Sequence, residues 1–426
     1  MPLVQAFRAI RYNPARFPDL TPLLTPPYDV ISEQEQAACY ARHPHNMIRL
    51  DLGQILPADS DADNRYVRSA HSFAQWRREQ ILIQDQTPAL YPSSIRYALP
   101  TGQVKTLMGV FALVKLEPFD AGHVLPHEMT FSAAKEDRLH LMRASRASFS
   151  PIFLISPDPD GRLRPLLEQS IPRSEAAGSA RPSGATEGDN QPLQQLWRLT
   201  DPAMIDEITA VLAKHPLLIA DGHHRYETAL NYRNEVAGSA AGASANFCLA
   251  FIAASHDPGL SIQPTHRVVA RLPNFDLPSF CQRLGDRFSI APQTGAAVQD
   301  LQAAMERSGQ TQPVFGLITP SGASLLTYRR PAGGQLDVRI LQSEILEALL
   351  QLQEEEAVAS GRLRYVKDAQ EAARLVQTGE AQLTFLLNPT PIEAIEAIAH
   401  SGGRMPRKTT YFLPKPLTGF AIYPLD

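Results

Sequence analysis

LLIADGHHRYETA, residues 217–229, carries more of the fold and the chemistry than any other stretch of this chain. Leu217 to Ala220 is an apolar run of strand character. Asp221-Gly222 breaks it, and a helical pattern follows with His223, His224, Arg225 and Glu227 crowded into its first turn. A strand that turns through glycine into a helix start is an anion site in waiting, because the first N–H groups of the helix lack intrahelical partners and the dipole favours negative charge. Arg225 adds a forked cation suited to phosphate or carboxylate. His223 and His224 add groups that titrate near neutral pH. The plainer alternative is a capped helix, with Asp221 as N-cap and solvated histidines. Asp-Gly-His-His-Arg, residues 221–225, at a strand end favours the phosphate-handling site.

Working outward, elements follow on both sides. A helix is predicted over 64–80 from the spacing of Tyr66, Ala70, Phe73 and Trp76. ALYPSSIRYALP and TGQVKTLMGVFALVKLEPF read as two strands of a hairpin. Residues 133–146 are helical in pattern, and 150–156 form a buried strand. Residues 157–191 are rich in Pro, Gly, Ser and charge without periodicity, and are expected to be a flexible insertion. Thr200 or Asp201 caps a helix with Pro202 at its first position. The tail alternates strand and helix. The class is α/β (α+β), with 1–88 as an N-terminal subdomain, 89–270 as a core and 271–426 as C-terminal α/β structure.

Composition narrows the function classes. The chain has 426 residues, 44% hydrophobic and 20% charged, as in a soluble globular protein. No apolar run reaches transmembrane length, and no membrane role is expected. The start lacks a secretory signal. Cys39, Cys248 and Cys281 stand far apart without CxxC spacing, which argues against a disulfide scaffold or thiolate zinc site and suits the cytoplasm. A net charge of −4 gives no nucleic-acid footprint. Oligomeric state is not legible.

Other constellations gather around the central one. VLPHEMT, 124–130, puts His127 and Glu128 where a strand gives out, with Glu128 placed to act as general base and His127 to tune it; an exposed loop pair is the bland alternative. Lys135, Arg138 and Arg146 fall near one helical stripe that could neutralise phosphates or simply face solvent. TPPYDVI (25–31) and HPHNMIRL (43–50) offer Asp29, Asn46 and Arg49 as substrate-binding or supporting residues. PTHRVV (264–269) and RMPRKTTYFLPK (404–415) offer His266, Arg267 and Lys408. Walker, GxGxxG, HExxH and GxSxG motifs are absent in proper context. Adjacent helical histidines point about 100° apart, so no protein-only metal site is expected, and Mg2+ would arrive with a nucleotide.

PPYDV, LPHE, DGHHRYETA, THRV and RMPRKTTYF, in this order, resemble the family catalogued as domain of unknown function 1015 over essentially the whole chain. Thr25 and Thr409 depart slightly from its pattern, where alanine and serine are expected. The family name implies no activity. Locally, DGHHR is similar to the phosphate-holding turn of the ParB/sulfiredoxin-like superfamily, which implies a core of that kind with added N-terminal and C-terminal α/β subdomains. His223 stands where sulfiredoxin has cysteine, and strands follow where ParB has a helix-turn-helix, so thiol chemistry and a DNA clamp are disfavoured. The free serine kinases resemble the chain in a DGHHR-like turn with an upstream catalytic glutamate. That resemblance implies ATP or ADP held by Asp221, Gly222, His223, His224 and Arg225, with Glu128, His127 and His224 in catalysis on a hydroxyl-bearing small molecule such as L-serine. A non-catalytic ParB-like nucleotide regulator and a phosphoester hydrolase or nuclease stand as alternatives.

Overall fold

A computed structural model describes residues 1–99, 102–129, 132–181, 193–238, 242–293, 297–406 and 408–425. The chain divides into two compact units, Met1–Ser261 with Pro414–Asp426, and Ile262–Leu413. Both mix helix and strand, so the α/β class stands.

In the first unit, Leu217–Asp221, Ile152–Ser156 and Phe247–Ala254 are near-continuous apolar runs buried on both faces of the sheet, with successive residues feeding opposite faces, one of which packs in a single cluster. Leu217, Ile219, Ile152, Leu154, Ala250, Ile252, Val110 and Ala112 form that face within one cluster. The sheet has nine strands among the described residues. Its order is Val124–Leu125, Leu217–Asp221, Ile152–Ser156, Phe247–Ala254, Val104–Lys115, Tyr91–Ala98, Leu193–Arg198, Glu175–Ala180, with Val4–Gln5 also paired to Val104–Lys115. Residues 1–88, read as an N-terminal subdomain, lie within this unit.

Two helices, Leu163–Ser170 and Pro202–Leu212, bury Leu163, Leu166, Leu167, Met204, Ile208, Val211 and Leu212 in the same cluster. The first corrects an expectation. Residues 157–191 were read as a flexible insertion, yet Leu163, Leu166 and Leu167 recur at helical spacing, and each such side chain contributes about 2 kcal/mol when buried. Glu175–Ala180 then pairs antiparallel with Leu193–Arg198. Pro and Gly in the surrounding sequence hid this short periodicity; residues 182–192 lie outside the described residues. Asp201 caps the second helix by accepting from Ala203 N and Met204 N, with Pro202 at its first position, as expected.

The second unit carries a six-stranded antiparallel sheet among the described residues. Successive residues of His266–Val269 feed opposite faces: Val268 packs with Leu301, Met305, Ala372 and Ala373, and Val269 with Phe280, Phe288, Phe315 and Leu346. Among the described residues, no helix is long and apolar enough to cross a membrane.

Candidate functional site

The strand Leu217–Asp221 runs parallel to Val124–Leu125, with Leu217 opposite Val124 and Leu218 opposite Leu125. Parallel strands end on the same side, so the residues that follow each emerge together. Glu128 and Asp221 each stand three residues past the Leu125–Leu218 pair. LPHE and DGHHR therefore leave one sheet edge side by side, at the carboxyl ends of strands, where open α/β sheets place their ligands. The pairing of Leu217–Asp221 with Ile152–Ser156 shifts register between Ile219 and Asp221, an irregularity that re-aims the strand end at the site.

Gly222 makes the turn. It is left-handed, φ 96° and ψ 29°, and occupies the N-cap position of His223–Glu235 with no side-chain cap. A Cβ there would lie 2.9 Å from Arg225 Nε. Asp221, expected as a possible N-cap, is instead the last strand residue and an ion-pair centre. Lys415 Nζ and Arg225 Nη2 both donate to its carboxylate. Burial by itself would raise the Asp221 pKa, but Lys415 and Arg225 pull it well below the usual carboxylate range. Lys415 Nζ is also 3.8 Å from Asp29 Oδ2. Burial disfavours the Lys415 ammonium, and Asp221 and Asp29 outweigh that and raise its pKa.

Arg225 faces inward. Its Nη1 donates to the Pro151 carbonyl and its Nη2 to Asp221, so the fork expected to grip a ligand instead locks the turn. Its pKa is raised because Asp221, then Asp29, outweigh its burial. The first N–H groups of the site helix, with half-buried His224 among these residues, are suited to an anion.

His223 joins the two motifs. Its Nε2 accepts from His127 N at 3.2 Å and from Glu128 N at 3.4 Å, and the His127 and His223 rings meet edge to face at 4.7 Å. An Nε2 that accepts leaves the proton on Nδ1. His127 is fully buried, with Nε2 3.8 Å from Glu128 Oε1, whereas the Glu128 side chain keeps 19% of its surface exposed. The base candidate thus reaches solvent beside a fully buried imidazole.

Behind this rim lies a buried polar layer. Arg138 donates from Nη1 to the Asp51 carbonyl at 2.7 Å, pairs with Asp137 at 2.6 Å and stacks 4.0 Å from the Tyr28 ring centre. Ser150 Oγ donates to Asp51 at 2.8 Å and lies 3.1 Å from Thr418 Oγ1. Burial pushes Asp51 up, against the opposing pull of Arg138 and Ser150. Burial likewise pushes the Tyr28 phenol up to about 12, so it remains a donor. Tyr28, Asp51, Arg138, Ser150 and Arg225 close the polar end of a cavity of about 40 Å³, walled elsewhere by Leu116, Leu141, Phe149 and Cys248. That is room for about three water molecules.

Other expected residues have different employment. The basic stripe does not assemble: Lys135 pairs with Glu227 at 2.7 Å, Arg138 is interior, and Arg146 is exposed beyond the helix Ser132–Ser145 with φ 48°. Helical spacing put them on one stripe, but Asp51 draws Arg138 inward and the helix ends too soon. Asn46 is buried, donating to Pro22 O at 2.7 Å and accepting from Ile48 N at 3.0 Å. Arg49 donates to Tyr40 O and stacks on the Tyr40 ring at 4.4 Å. Both hold local structure. His266, Arg267 and Lys408 belong to the second unit. There Arg267 Nη1 donates to Thr265 O at 2.7 Å and to Lys408 O at 3.4 Å, and Lys408 is exposed. Sequence reasoning missed Lys415, Tyr28 and Asp51, although Tyr28 lies within TPPYDVI and Lys415 within RMPRKTTYFLPK. Among the described residues no group of three or more His, Cys, Asp or Glu is arranged to hold a metal.

These features define a mixed α/β protein in which a left-handed glycine turn opening a helix and a partly exposed carboxylate emerge side by side at one sheet edge. The chain belongs to the family described as "Protein of unknown function (DUF1015)", which matches residues 4–349. No curated protein sequence matches it. Among solved structures it is distantly similar to a conserved hypothetical protein from Pyrococcus furiosus, with 15% identity, 73% of this chain and 95% of that one covered, and a TM-score of 0.37. It is similar at the same level to a free serine kinase in complex with AMP (14%, 71% and 87%, 0.38) and to SbnI with C-terminal truncation from Staphylococcus aureus (14%, 72% and 85%, 0.34).

Proposed function

We propose that this protein is a nucleotide-dependent phosphotransferase acting on the hydroxyl of a small metabolite, with free L-serine as the first acceptor to test. The observation that carries the reading is the junction at His223, whose ring accepts hydrogen bonds from the backbone of both His127 and Glu128. It keeps a partly exposed carboxylate beside a helix start suited to phosphate. In this reading the Gly222 turn, the first N–H groups of the site helix, His224 and Lys415 bind the phosphates of ATP or ADP. Asp221 and Arg225 hold that arrangement in place. Magnesium enters with the nucleotide and supplies further charge to the phosphates. Glu128 accepts the proton of the acceptor hydroxyl as its oxygen bonds to the terminal phosphorus; the bond from phosphorus to the bridging oxygen breaks, and ADP or AMP leaves. Such chemistry depends on positioning and charge stabilisation, which this residue set provides.

The test is to incubate full-length protein with Mg2+ and ATP or ADP, together with L-serine or a panel of hydroxyl compounds, and follow products by phosphorus NMR. A new phosphomonoester matched by nucleotide loss is expected. Release of inorganic phosphate without acceptor would indicate a hydrolase, and no turnover across the panel would defeat the phosphotransferase reading.

A further inference from the structure

The chain is acidic overall, with a net charge of −4, yet one cleft of the first unit is strongly basic. It encloses about 860 Å³, within the range of small-molecule sites, and its lining includes Arg8, Arg77, Arg78, Arg198 and a single carboxylate, Asp85. That carboxylate is already committed. Arg11 Nε lies 3.0 Å from both its oxygens and Arg11 Nη2 2.8 Å from one, while Tyr91 donates its hydroxyl to the other at 2.7 Å.

The four arginines come from three separate places. Arg77 and Arg78 end the helix Arg65–Arg78, where the dipole favours cations. That explanation does not reach Arg8, which precedes the strand Ile10–Tyr12, or Arg198, at the end of Leu193–Arg198. Arg198 is fixed by Thr87 Oγ1 at 2.5 Å and Glu175 at 3.0 Å, and its Nε is 3.6 Å from Asp85. Arg8 donates through Nε to the Asp85 carbonyl at 2.9 Å, and its amino groups have no hydrogen-bond partner among the described residues. Arg78 is exposed and makes no ion pair among the described residues. Gln80, Gln84 and Thr87 add neutral donors to the lining.

We propose that this cleft is a second binding site, separate from the DGHHR edge, for a chain of linked phosphates. One phosphate occupies one guanidinium fork; several forks around one open cleft match several phosphates in series. The shared chemistry is the polyphosphate chain, either inorganic or carried on a nucleoside. This assignment uses none of the residues of the phosphotransferase reading and can fail or stand without it.

The probe is inorganic tripolyphosphate, titrated calorimetrically into full-length protein and into Arg8→Glu/Arg78→Glu, two exposed positions. Tenfold or greater loss of affinity in the double variant, with an unchanged melting temperature, is expected. ATP as a second probe separates the sources: an Arg8- and Arg78-dependent component that is tighter for ATP than for tripolyphosphate assigns a nucleoside polyphosphate, and one of equal or lower strength assigns the inorganic chain. If the double variant fails to fold, Arg78→Ala alone should still weaken tripolyphosphate several-fold. Absence of tripolyphosphate binding to the wild type, or binding indifferent to these substitutions, overturns the proposal.

Discussion

Each unit buries a histidine and an arginine close together in sequence, and the two pairs end in opposite roles. His223 and Arg225 sit where a strand ends and a helix begins. Their partners are charged or polar groups at strand ends: Asp221 of the same strand, and Pro151 O, His127 N and Glu128 N from other segments. His266 and Arg267 sit within a strand flanked on both sides, by Leu363–Val366 and Leu383–Leu386. There Arg267 stacks on Tyr365 at 4.6 Å, and His266 Nδ1 accepts from Leu387 N at 3.3 Å. A strand interior consumes polar groups in packing; a strand end can turn them toward a ligand.

The comparison breaks most sharply at Asp221. Asp221→Asn leaves Lys415 and Arg225 as buried cations without their shared counter-ion, and about 3–5 kcal/mol of stability should be lost in denaturant titrations. A loss under 1 kcal/mol would mean that the ion pairs are not coupled to folding.

The His266 effect is next. Burial, reinforced by Arg267, pushes its pKa down to about 4. An unfolded chain takes up that proton near pH 6.5, before the folded one does. This contribution is therefore full above pH 6.5 and is lost as pH falls from 6.5 toward 4, amounting to about 3 kcal/mol. Unfolding free energies against pH should have a shallower slope over that window in His266→Gln than in the wild type; equal slopes would contradict the assignment.

The smallest effect concerns the turn. Gly222→Ala adds left-handed strain and a contact with Arg225 Nε, and about 1–2 kcal/mol should be lost with weakened nucleotide binding. Gly379 is also left-handed, φ 77°, but a Cβ there meets nothing within 4 Å. Gly379→Ala should therefore cost less, and equal costs would remove the Arg225 contact from the account.

What the sequence revealed follows the same division. Strand, glycine turn and helix at 217–229 were legible because their periodicities are local. The tail strands and helices were legible too, down to Leu363–Val366 and Ile392–His400. The helix Leu163–Ser170 was not, since eight residues among prolines and glycines give little periodicity. That Glu128 and Asp221 emerge together depends on a two-residue parallel strand that no local pattern announces. Lys415 meets Asp221 across 194 residues. Arg225 was legible as a fork, but its direction was decided by Pro151 O and Asp221, which only the fold brings near.

The central claim is that the turn binds phosphates while Glu128 handles the proton, and a paired measurement on Glu128→Gln tests it most directly. Nucleotide affinity and phosphoryl-transfer rate should separate: the dissociation constant within about twofold of wild type, and kcat lower by about 10²–10⁴-fold. A variant that transfers phosphate at the wild-type rate would contradict the account.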